Sequence, residues 1–142
     1  AVLCGLMPPS HGSCQVFGRD LASEAAEVQK LLGVCPQHDV LWEELSCEEH
    51  LALFAGFKGV PRADVAREVG ATLQRVGLQA VGAATRLAGR LSGGMKRKLS
   101  LGIAFLGGSQ LVVLDEPTSG LDPYSRRMVW DLLRAMKQGR VT

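Results

Sequence analysis

Residues Leu111 to Asp122, LVVLDEPTSGLD, place two adjacent carboxylates at the end of an apolar run and a third after a short turn. Neighbouring side chains along a strand point in different directions. Asp115 can therefore face a magnesium ion while Glu116 addresses an attacking water. Ligands of parallel α/β sheets gather outside the carboxyl ends of the strands, and this pair falls there. Upstream, LSGG at Leu91 to Gly94 puts Ser92 where a helix begins and leaves Gly93 and Gly94 with no side chains over its first turn. Unpaired N–H groups and about half a positive charge make such a helix end an anion site, and the serine hydroxyl adds a donor. Taken singly, a DE pair also fits a strand leaving the core through solvated acids, and SGG also fits a common cap or linker.

The elements that must position these residues alternate between short strands and helices. GSCQVFGRD, Gly12 to Asp20, reads as one short strand, and SEAAEVQKLL follows as a helix capped by Ser23. GVCPQ is a brief strand that stops at Pro36. SCEEHLALFAGF opens with Ser46 and carries Glu49 three residues later, the pattern of a capping box. Pro61 starts a helix that Gly77 can close, with Val65, Val69, Leu73 and Val76 on one face. A linker, Gln79 to Arg90, leads to a helix from Gly93 to Leu106 on which Met95, Leu99 and Ile103 stack. Then come a buried strand, Gln110 to Leu114, a turn, and a helix entered at Asp122 and Pro123 and left at Gly139. A non-alternating apolar strand between helices implies a parallel sheet covered on both faces. The expected class is α/β.

Composition bounds the reading. The 142 residues are 46% hydrophobic and 21% charged, a globular balance. No apolar stretch approaches the ~20 residues of a membrane span, and no leader pattern is visible, so a membrane role would need a partner. A net charge of +2 from 16 basic and 14 acidic residues is too mild to argue for nucleic acid. Lys96, Arg97 and Lys98 are consecutive and fan around their helix by ~100° each, which suits a solvated or interdomain face. Cys4, Cys14, Cys35 and Cys47 lack dense disulfide spacing and suit a reducing compartment. Cys35 with His38 and Cys47 with His50 are both CxxH pairs, weaker than finger spacings as a zinc signal.

LSGGMKRKLS followed by LVVLDEPTSGLD, with GVCPQ upstream, resembles the nucleotide-binding domain of ATP-binding cassette (ABC) proteins. In the terms of that family, Gln37 resembles the Q-loop glutamine, Leu91 to Met95 the signature motif, Leu111 to Glu116 the Walker B strand, and Ser119 to Asp122 the loop contacting a partner cassette. The segments CPQHDVLWEELSCEEHL, GMKRKLS and DPYSRR further resemble the A subfamily, lipid movers, and especially its first cassette. The resemblance implies a partial P-loop NTPase fold over residues 1–142, with a parallel sheet core and a helical signature subdomain. Residues 36–90 would carry the Q-loop and helical subdomain, and 91–142 the signature helix, Walker B strand, D-loop and following helix. It implies Glu116 as catalytic base, with Asp115 and Gln37 on Mg2+. Gln37, Ser92, Gly93, Gly94 and Asp122 would contact ATP. Its partners would be a second cassette, head to tail, and a transmembrane domain, with the chain on the cytoplasmic side of a membrane and no nucleic acid bound.

Departures from the pattern shape a further expectation. The chain contains no GxxxxGK[ST], the glycine loop that grips phosphates. The ends, Ala1 and GRVT, read as cut from a longer polypeptide, the latter as a strand beginning, and none of His11, His38 or His50 replaces the family's switch histidine. Ser92 and its neighbouring amides would then serve a nucleotide held by another cassette, and the chain alone would neither bind nor hydrolyse ATP. A soluble ABC ATPase of DNA repair or translation, or an inactive truncated cassette, are the alternatives. The segment Gln37 to Phe57, which in transporters meets the membrane domain, separates them, and Trp42 belongs to that contact or to the core.

Overall fold

The computed structural model describes residues 2–5, 7–80, 82–137, 139 and 141–142. Val81 of the expected linker, and Gln138 and Arg140 near the expected final strand, lie outside them, as do Ala1 and Leu6. The segment Gly12 to Asp20 is a hairpin, not one strand: Gln15–Val16 (β1) pairs antiparallel with Arg19–Asp20 (β2). Phe17 and Gly18 between them have φ of 49° and 79°, the paired positive values of a two-residue turn whose twist matches its strands.

The helix that follows, Ala25–Leu31 (α1), is not capped by Ser23. Asp20 competes for it: the Asp20 carboxylate accepts from Ala22 N–H, Ser23 N–H and the Ser23 hydroxyl. Glu24 takes the cap position without a side-chain bond to the helix. Leu32–Cys35 (β3) then begins one residue before the expected glycine.

Cys47–Phe57 (α2) starts from the expected box, Ser46 Oγ accepting from Glu49 N–H and Glu49 accepting from Ser46 N–H at 2.7 Å. His50 is buried one turn in, where Nε2 accepts from Trp42 N–H, so its proton sits on Nδ1 and donates to the Ser46 carbonyl. A 3-10 turn at Arg62–Asp64 precedes Val65–Val76 (α3), so Pro61 stands outside the helix it was expected to start. Gly77 ends α3 with φ 67°, and Val69, Leu73 and Val76 are buried on its inner face while Val65 packs at the edge. Gly93–Phe105 (α4) is the most buried helix, with every residue from Leu99 to Phe105 inside. Leu111–Leu114 (β4) and Pro123–Met136 (α5) complete the order.

The sheet at the centre is parallel. β3 and β4 pair from Leu32 with Leu111 to Cys35 with Leu114, and Val141 makes a parallel bridge to Leu111 on the other side of β4. Backbone at Val141 thus adds to the sheet as a starting strand would. Gly33 and Cys35 share a face with Val112 and Leu114 by register, and α4 lies on that face. The helix comes so close that a Cβ built at Gly33 would fall inside the Ala104 carbonyl oxygen. On its outer side α4 meets α2 and α3 at Gly102, where a Cβ would stand 3.2 Å from Thr72 Cγ2 and 3.3 Å from Val76 Cγ1. Leu51 also meets Gly102 there, and with Leu99 and Leu101 it is fully buried in the same core, each contributing about 1.5–3 kcal/mol. The opposite face of the sheet, Val34 and Val113, is half-buried. No described helix is long and apolar enough to cross a membrane.

Candidate nucleotide site

Parallel pairing brings the carboxyl ends of β3 and β4 side by side, and both segments leave the sheet there. Asp115 N–H donates to the Cys35 carbonyl at 2.9 Å, which extends the ladder by one rung before the chains part. Beyond it, Gln37 Nε2 donates to Glu116 Oε2 at 2.8 Å across 79 residues of sequence. The carboxylate only accepts, so this bond also fixes which way the amide points. The Asp115 and Glu116 side chains are both exposed. Glu116 has φ 42°, left-handed backbone that costs a non-glycine residue about 1–3 kcal/mol and persists only where its surroundings hold it.

What holds it is Arg97, which the sequence reading left on a solvated or interdomain face. That expectation is corrected here, because Arg97 is only 2% exposed. Its Nε donates to the Pro117 carbonyl at 2.7 Å, and Nη2 donates to the carbonyls of Glu116 at 2.9 Å and Asp115 at 3.3 Å. Nη1 donates to the Pro36 carbonyl at 2.8 Å, to the Gln37 carbonyl at 3.3 Å and to Asp39 Oδ1 at 3.1 Å. Breaking a buried ion pair by removing one partner costs about 3–5 kcal/mol. A signal was present in the sequence: Arg97, Leu101 and Ala104 recur at helical spacing, so the arginine stands on an apolar stripe.

Ser92, Gly93 and Gly94 open α4 three to five residues before Arg97, about 5–7 Å along the axis. Ser92 Oγ accepts from Met95 N–H at 3.3 Å, which leaves its own hydrogen free to donate. Ser92 and Gly93 are exposed, so this helix end is at the surface and outside the core. Beside it lies a hollow of about 190 Å³ lined by Ser92, Gly94 and Lys98 of α4 and by Tyr124, Ser125 and Met128 of α5. Gly94 permits the approach, since a Cβ there would meet Ser125 Oγ at 3.1 Å. Asp122 caps α5, its carboxylate accepting from the N–H groups of Tyr124 and Ser125 at 3.0 Å. Hydrogen bonds from the Ser125 hydroxyl and amide, then the Tyr124 amide, hold its carboxyl below the usual range.

The structure therefore joins Gln37, Asp115 and Glu116 through one arginine, and places Ser92, Gly93, Gly94 and Asp122 at two neighbouring helix starts. The CxxH pairs do not converge: Cys35 and Cys47 are buried on separate elements and His50 is engaged by Trp42 and Ser46. Among the described residues no group of three or more His, Cys, Asp or Glu is clustered for a metal ion. Burial pushes the Cys35 thiol up to about 11, against a smaller opposing pull from Arg97.

The sequence model for the family described as ABC transporter matches residues 1–119. The chain belongs to the ABC transporter family. Its relatives include the human ATP-binding cassette sub-family A member 2, 45% identical over 140 residues that make up 99% of this chain and 6% of that protein. The human phospholipid-transporting ATPase ABCA7 is 48% identical over 140 residues, again 99% of this chain and 6% of the relative. The cholesterol transporter ABCA5 of Rattus norvegicus is 45% identical over 143 residues, 99% of this chain and 9% of the relative. The chain thus spans less than a tenth of the length of these three relatives. A solved structure described as an ATP binding subunit of an ABC transporter superposes with a TM-score of 0.78 at 30% identity, over 98% of this chain and 57% of that one. The α/β fold and the likeness to the A subfamily stand as the sequence implied. Members of the ABC family carry ATP-binding cassettes, and this chain has the fold of part of one.

Proposed function

We propose that this chain is the part of an ATP-binding cassette that presents a signature helix to a triphosphate gripped by another cassette, within a transporter that moves lipid. The single observation that carries this is the start of α4, where Ser92 and Gly93 are exposed and Ser92 Oγ accepts from Met95 N–H with its own hydrogen free to donate. Ser92, Gly93 and Gly94 donate to phosphate oxygens of that nucleotide, using a hydroxyl and the free amides of a helix start. Asp122 shapes the neighbouring turn as the cap of α5, and through it the contact with the second cassette.

Asp115 and Gln37 would hold magnesium. They fit it, because both offer oxygen: an exposed carboxylate, and an amide oxygen left free once Nε2 donates to Glu116. Magnesium is commonly held by one or two carboxylates plus substrate phosphates, without a full protein cage, and when bound it neutralises charge on the phosphates. In a cassette completed by its own glycine loop, Glu116 would accept the proton of the water attacking the nucleotide held there, with Gln37 orienting Glu116. Catalysis here rests on positioning and charge stabilisation, and the chain contains no GxxxxGK[ST] of its own. Residues 36–90 serve as the Q-loop and helical unit, and 91–142 as the signature, Walker B and D-loop unit. Exposed Val40, Trp42, Leu53 and Phe57 on the 37–57 segment support contact with a membrane domain, which would set the chain on the cytoplasmic side. The names of the relatives, phospholipid-transporting and cholesterol transporter, support lipid as cargo.

The test is association. Mixed with a cassette that carries GxxxxGK[ST] and with Mg-ATP, the 142-residue chain is expected to form a one-to-one complex by light scattering, lost on nucleotide removal and in Ser92→Arg. Alone it is expected to release no phosphate. Association that ignores nucleotide, or phosphate release by the isolated chain that vanishes in Glu116→Gln, would overturn the reading.

A further inference from the structure

We propose that Arg97 is a positioning residue, whose buried guanidinium sets Gln37 and Glu116 against each other and ties both to the helix that begins at Ser92. Six acceptors receive its N–H groups, and all six lie on the two segments leaving the sheet: Pro36, Gln37 and Asp39 on one, Asp115, Glu116 and Pro117 on the other. A planar fork with five donors can span two chains in this way. The ammonium of lysine, with three donors on one atom, cannot. Asp39 is the one carboxylate among the six and is 22% exposed, so the backbone carbonyls carry much of the compensation for the buried charge.

The placement of Glu116 needs such a clamp. Its left-handed backbone at φ 42° is an unfavourable state, and Arg97 binds the carbonyl on each side of it as well as its own. The same guanidinium holds the carbonyl of Gln37. Both ends of the Gln37–Glu116 bond are therefore registered to one atom group on α4. Since α4 is a rigid element, a displacement at Ser92 carries to both side chains together. This deepens the proposed function and rests on it for its meaning in catalysis; the geometry itself does not depend on nucleotide.

The experiment is nuclear magnetic resonance of the 142-residue chain, following the side-chain amide of Gln37, identified by its loss in Gln37→Ala. Its position in Glu116→Ala defines the unbonded state. Arg97→Met is expected to move the signal the whole distance to that state, Arg97→Lys and Asp39→Asn part of it, while methyl signals of Leu51, Leu99 and Leu101 keep their places. A Gln37 signal that Glu116→Ala does not move, or that stays at its wild-type position in Asp39→Asn and Arg97→Lys with the core methyls intact, overturns the proposal. So does collapse of the core methyls in both Arg97 variants while Asp39→Asn leaves Gln37 unmoved, since Arg97 would then merely fill the core. A chain that shows the expected Gln37 shifts but no nucleotide-dependent association rejects the nucleotide reading and leaves the positioning role standing.

Discussion

A single methyl group at position 33 should unseat the signature helix. In Gly33→Ala the new Cβ overlaps the Ala104 carbonyl oxygen and stands 3.1 Å from Ser109 Oγ. The obstruction is backbone in the last turn of a buried helix, so no side chain can rotate out of the way. To restore a carbon–oxygen contact of about 3.3 Å, α4 must lift off the sheet at Ala104. Overpacking costs about 1–3 kcal/mol, and the upper end applies because the neighbour cannot yield. Against a typical stability of about 5–15 kcal/mol, a loss of ~3 kcal/mol raises the unfolded fraction roughly 150-fold and lowers Tm by roughly 10 °C. Urea unfolding followed by the fluorescence of Trp42 and Trp130 measures it. Gly70→Ala is the matched control: it lies in α3 with nothing within 4 Å of the added carbon, and a helix-interior glycine replaced by alanine gains about 0.5–1 kcal/mol. Were Gly33→Ala to fall within ~1 kcal/mol of wild type, the close approach of α4 to β3 would be wrong, and with it the placing of Arg97 between the two strand ends.

Other outcomes follow from local features. Ser46→Ala removes the acceptor for Glu49 N–H and should lower stability by about 1 kcal/mol, read as a shift in the urea midpoint at constant slope. Hydrogen bonding from Ser46 N–H holds the Glu49 carboxyl below 4.5. Its contribution is therefore full above that pH and is lost as pH falls through the lowered value; Glu49→Gln should flatten the stability profile in that acid window, and an unchanged profile would refute the assignment. Burial pushes the thiol of Cys47 up and that of Cys35 to about 11, whereas Cys4 and Cys14 are half-exposed. Iodoacetamide at pH 8 should label Cys4 and Cys14 first, with Cys35 and Cys47 reacting only as urea unfolds the chain; mass spectrometry showing Cys35 among the first would sink that reading.

The motifs were legible because each is short in sequence and local in physics. A capping box needs three residues of spacing, so Ser46 and Glu49 could be paired on paper, and Gly77 could be seen as a stop. The same logic failed at Ser23, where Asp20 offered its hydroxyl a nearer partner, and at Phe17 and Gly18, where a turn with positive φ hid inside a strand-like pattern.

Residue type and order alone determined that Asp115 and Glu116 follow an apolar strand and that Ser92 opens a helix, because apolar patterning, capping and helix polarity act within a few residues. Only the tertiary structure decided that Gln37 would meet Glu116, and that Arg97 would leave its basic neighbours and enter the interior. Both depend on which strands pair, and on how closely a helix can approach at Gly33. A buried charge is set by acceptors drawn from remote segments, and no local pattern shows where those carbonyls will gather.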